Sequence, residues 1–158
     1  MICITVLFIA LIAWRLWPRS IDSFMDSPVR DIDRLSGYLT MSEVENGQPV
    51  LNTYKVEANT LQDSQRLFEI LGKGKYQASL TNLLPWTWGR LSSGFGYDGR
   101  SIHIHMFFDG DEPGFTSIIM YGGDKSSVDG RRVLPIGNDV FNELAEYIQA
   151  NGTLEPNS

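Results

Sequence analysis

The chain predicts an α+β fold: a largely antiparallel sheet with two helices packed on one face, preceded by an N-terminal membrane-anchor helix. Three observations carry this reading. Two runs with helical periodicity, 59–74 and 138–152, stand among six runs that alternate apolar and polar residues with a period of two. The connections between the alternating runs are short and hairpin-like, which favours antiparallel neighbours. The first residues after Met1, "ICITVLFIALIAWRLW", hold no charge before Arg15.

The N-terminal run is read as an anchor over residues 2–17. Sixteen helical residues reach about 24 Å, a little short of a hydrocarbon core of about 30 Å. A tilted single-pass span is expected, with Trp14 and Trp17 at the interface and Arg15 snorkelling. The run has no basic segment before it and no small-residue cleavage pattern after it, so a signal anchor fits better than a removed signal peptide. Arg15, Arg19, Arg30 and Arg34 follow it, which favours the cytoplasmic face of the membrane for the domain. Residues 18–34 read as a polar connector in which Pro28 opposes a long helix. The domain proper is expected over 35–152, with a disordered tail at 153–158.

Within the domain, 35–44 and 49–58 read as strands, and Asn46-Gly47 between them is a strong hairpin signal. A helix follows over 59–74. Thr60 and Asp63 resemble a capping box, Leu61, Leu67, Phe68 and Leu71 form its apolar stripe, and Gly72 ends it. Strands are expected at 76–83, 100–108, 116–121 and 132–136, and "GGDKSSVDG" reads as a turn before the last of them. The second helix has the apolar face Val140, Phe141, Leu144, Ala145 and Ile148, a cap at Asn138 or Asp139, and Gly152 at its end.

Composition bounds the rest. The chain is 42% hydrophobic and 11% aromatic, too apolar for a disordered chain. A domain of this size buries about two thirds of its unfolded surface and needs no covalent staple. The only cysteine is Cys3, which excludes a disulfide framework. All 19 acidic residues lie after residue 20, with 11 of the 13 basic ones. Such a domain repels nucleic acid, and a basic protein partner or a cation would suit its charge.

Two segments carry candidate chemistry. In "RSIHIHMFFD", His103 and His105 fall on one strand face, opposite Ile102, Ile104, Met106 and Phe108. Two imidazoles at i and i+2 can chelate a divalent metal, with Asp109 as the third ligand and Asp98, Asp111 or Glu112 as further oxygens. The stretch resembles the first motif of the cupin family. The second motif departs from that pattern, because Val140 stands where its histidine belongs and a helix begins there, so the family is excluded. A solvent-facing polar strand face explains the two histidines equally simply.

The second segment is "PWTWGRLSSGFGYDG". Trp86, Trp88, Phe95 and Tyr97 alternate with small residues, and glycines let backbone approach a partner. These four form the candidate binding surface. Against it stands the simpler reading that both tryptophans alternate into the core. "DGDEPG" lacks the calcium-loop pattern and "GKGK" lacks phosphate-loop spacing. No nucleophile elbow is present. No motif identifies a reaction. The expectation is a membrane-tethered, non-enzymatic binding module without a cofactor, recognising a protein or cell-envelope component in a protective or inhibitory role. It would touch the membrane through residues 2–17 and would not bind nucleic acid. A metal-dependent enzyme centred on His103 and His105 is the first alternative, and a structural subunit of a membrane complex the second.

Overall fold

The β-branched and aromatic runs of this chain alternate with polar residues, and that pattern builds strands with one face buried. The computed structural model describes residues 2–26, 32–58, 61–79, 98–108, 114–122, 125–137 and 139–155. Its element order is α1 (Ile2–Arg15), β1 (Ile32–Glu45), β2 (Gln48–Ala58), α2 (Leu61–Lys73), β3 (Lys75–Ala78), β4 (Arg100–Phe108), β5 (Gly114–Tyr121), β6 (Lys125–Val128), β7 (Arg131–Ile136), α3 (Asp139–Asn151) and β8 (Thr153–Glu155). The strands form one sheet in the order β3-β7-β6-β5-β4-β1-β2-β8, and every pair is antiparallel.

Tight turns set the register. Asn46 and Gly47 both take positive φ, 52° and 80°, which joins β1 to β2 through a two-residue loop. Asp129 and Gly130 repeat the device between β6 and β7, with φ of 49° and 77°. The helices carry the chain between the edges. α2 leads from β2 to β3 at the opposite edge, and α3 leads from β7 back to β8 beside β2.

One face of the sheet holds the core. The register lines up Ala78, Val133, Ser126, Met120, Ile102, Leu39 and Tyr54 in a row that crosses it. Leu39, Ile102 and Met120 in that row are fully buried. Each such side chain contributes about 1.5–3 kcal/mol by leaving water. α3 lies on this face with Phe141, Leu144, Ala145 and Ile148 turned inward. It comes close at Gly37, where an added Cβ would stand 3.0 Å from Val56 and 3.5 Å from Ile148. α2 packs beside it through Leu67, Ile70 and Leu71.

The segment after α1 belongs to the fold. Arg19 and Tyr76 exchange backbone hydrogen bonds of 2.8 Å, tying the chain to β3. A 3-10 turn over Ile21–Phe24 then places Ile21 and Phe24 in the core.

The N-terminal expectation is corrected. α1 has 14 residues, about 21 Å of helix, and no described helix is long and apolar enough to cross a membrane. A transmembrane helix, a signal anchor and a single-pass membrane location are thereby set aside, and the orientation drawn from the arginines goes with them. The physical cause lies at the end of the run. Leu16 and Trp17 turn out of the helix before Pro18, which cannot continue it, and Arg19 is captured by β3. Among the described residues the fold class becomes an antiparallel sheet of eight strands with three helices, the first of them too short to cross a membrane. Two of the eight strands, β6 and β8, fall where no strand pattern was read.

Candidate functional site

The second face of the sheet receives no described helix. Strand alternation assigns to it Arg34, Ser36, Tyr38 and Thr40 from β1, and Leu51, Thr53, Lys55 and Glu57 from β2. β4 adds His103, His105 and Phe107, and β5 adds Phe115, Ser117, Ile119 and Tyr121. These residues alternate with the core row, so the registry that buries Leu39 and Ile102 turns Tyr38 and His103 the other way.

Six rings make a connected layer here. His105 stacks on Phe115 at 5.5 Å between centroids, with planes 20° apart. Phe115 also meets Phe107 at 5.2 Å, and Tyr38 meets His105 edge-on at 5.8 Å. His103 stands 6.4 Å from His105 and 6.2 Å from Tyr121. Cations cap the layer: the Arg34 guanidinium lies 4.6 Å over Phe107, and the Lys55 ammonium 5.7 Å from Tyr38.

Outside α1 and its exit, most of the exposed large apolar side chains of the described residues collect on the same face. Among the described residues, the large exposed hydrophobics outside α1 and its exit are Val44, Leu51, Phe115, Leu134, Ile136 and Leu154. Register places all but Leu154 on this face. Among the described side chains, the strands turn five basic residues to it, Arg34, Lys55, Lys75, Lys125 and Arg132, and two acidic ones, Glu57 and Glu155, both within 4.0 Å of Lys55. The described strand residues of this face thus hold more basic than acidic groups, on a chain of formal charge −6.

Between β1, β2 and β4 the face dips into an open concavity of about 280 Å³, lined by Arg34, Ser36, Tyr38, Glu57, His105 and Phe107. Glu57 is held by Lys55 at 2.7 Å, and the hydrogen bond and charge of that ammonium keep its carboxyl below the ordinary range. His105 Nδ1 is fully buried and has no hydrogen-bond partner among the described residues. Burial holds both imidazoles below their ordinary pKa, and for His103 the charge of its neighbour adds to the effect. Both rings are thus neutral at pH 7.

The residues expected from sequence fare unequally. His103 and His105 do share a face, half-buried among aromatic rings. Among the described residues, no third histidine, cysteine or acid joins them as a metal-binding group. Asp109, Asp111 and Glu112 lie outside the described residues, as do Trp86, Trp88, Phe95 and Tyr97. Asp98 is bound to Arg100 at 2.7 Å. Sequence reasoning passed over Arg34, Ser36, Tyr38, Phe115 and Tyr121 as members of this face. The alternation test applied to "SIHIH" would have found them in "RLSGYLT" and "FTSIIMY".

Comparison with protein-family models, with curated proteins and with solved structures finds no match.

Proposed function

We propose that this protein is a binding module that docks an acidic protein segment on the sheet face opposite its helices. One observation carries the reading: outside α1 and its exit, the exposed large apolar side chains of the described residues, Leu154 apart, fall on the same face as a continuous aromatic layer and an excess of described basic groups, in a chain of formal charge −6. Clustered apolar surface on a folded domain marks an interaction site. The residue types support a protein partner, since aromatic residues and arginine are enriched at interface centres while lysine and acids are depleted there.

The face is broad and its concavity shallow, which suits a macromolecule better than an enclosed small ligand. Charge selects the sign of the partner. The chain's net charge opposes an acidic partner at long range. Within a Debye length of about 8 Å at physiological salt, the local basic residues dominate. The same segregation of charge turns this face toward an acidic partner during encounter. The expectation of a basic partner, drawn from the net charge, thereby gives way to an acidic one.

Panning a randomised peptide library against the full chain tests the reading. Enriched sequences should be acidic and aromatic, and amide shift mapping should place them over β1, β4 and β5. Enrichment of basic sequences, mapping to the helices, or no enrichment at all would reject it.

A further inference from the structure

Resting on that reading, we infer that the concavity between β1, β2 and β4 is a receptor for the carboxylate side chain of a partner's Glu or Asp, with Arg34 as its anion-binding group. Three features of the lining support this. Arg34 stacks on Phe107, which fixes the guanidinium plane and leaves its donor edges for an in-plane, two-point contact with a carboxylate. Among the described side chains no acid stands within 4.0 Å of Arg34. The acid that does line the concavity, Glu57, spends its contact pair on Lys55 at 2.7 Å and feels the charge of Arg34 more weakly.

The aromatic floor adds a preference for the neighbouring residue. Tyr38 and Phe107 line the same concavity, so an aromatic residue next to the acid would pack against them. A side-chain carboxylate is favoured over a chain terminus. The concavity is open and continues across the face toward Tyr121 and Phe115, where a longer segment would run on to either side of the acid.

Three dipeptide probes test this on the full chain by amide shift titration: acetyl-Phe-Glu-amide, its neutral isostere acetyl-Phe-Gln-amide, and acetyl-Phe-Gln with a free carboxylate. The first should bind at least tenfold more tightly than the second, with shifts centred on Ser36, His105 and Phe107. Arg34→Gln should abolish that preference without altering the fold, because Arg34 is exposed. Equal binding of the first two probes, or a Glu preference that survives Arg34→Gln, would overturn the proposal. Tighter binding of the third probe would reassign the site to chain termini and overturn the side-chain source. The broader reading fails separately: if library-selected peptides still map to this face and weaken with Phe115→Ser while the dipeptides show no preference, the docking face stands and the carboxylate receptor does not.

Discussion

Single residues show how the two faces are kept apart. His103 and His105 are polar groups set into an aromatic layer, with Tyr38, Lys55 and Glu57 toward β2 and Phe115, Ile119 and Tyr121 toward β5. Their folded-state pKa values lie below the ordinary 6.5, so the unfolded chain takes up protons first as pH falls. Their contribution to stability is therefore whole above pH 6.5 and declines below it. Thermal melts at pH 7.5 and 5.5 should show a lower midpoint in acid, and a His103→Gln, His105→Gln double variant should lose part of that difference. An undiminished difference would place its origin in the carboxylates. Asp129 is a second such residue. Its carboxylate accepts the Ser117 N–H at 2.8 Å and the Thr116 hydroxyl and Asp26 N–H at 3.3 Å, from a left-handed turn position. Asp129→Ala removes the acceptor and places alanine at positive φ, and should cost about 1–3 kcal/mol in a denaturant melt.

Elements were legible in the sequence where local chemistry decided them. The Asn46-Gly47 hairpin, the β4 strand and the last helix follow from turn residues and from periods of 2 and 3.6. β6 was not legible, because "KSSV" has no apolar alternation: Ser126 and Ser127 are buried only because the strand is hydrogen-bonded on both edges. β8 was hidden for a similar reason, since three residues carry no period and take their place from β2. The apolar run 2–17 suggests a span, but its helix ends at Arg15, and the pairing of Arg19 with Tyr76 that follows Pro18 joins residues far apart in the chain. The docking face was half-legible. Alternation in one strand reveals the histidines and Phe107, whereas Tyr38, Phe115, Tyr121 and the cations around them come from three other strands and emerge only with the register. On this face, Phe115 is 52% exposed, so Phe115→Ser should leave the melting midpoint nearly unchanged while weakening the binding of an acidic peptide several-fold, checked by paired melts and titrations.

At the scale of the whole molecule, the sheet keeps two surfaces apart: one face is committed to α2, α3 and the core, and the other is the proposed docking face. α1 stands apart from both, with Ile4, Leu7, Ile9 and Leu11 exposed. Since the fold is closed by Arg19, Ile21 and Phe24 rather than by α1, removal of residues 2–15 should leave the cooperative melt intact and reduce self-association in sedimentation. Peptide affinity should also fall with added salt, as expected for basic residues meeting acidic ones. The most direct test of the docking face is the affinity of one library-selected acidic peptide, read by fluorescence anisotropy, for three folded proteins: wild type, a Phe115→Ser, Tyr121→Ser double variant, and a Glu69→Gln control on the exposed surface of α2. The account predicts a tenfold or greater loss in the double variant and none in the control. Equal affinity for all three would contradict it and move the binding surface elsewhere on the molecule.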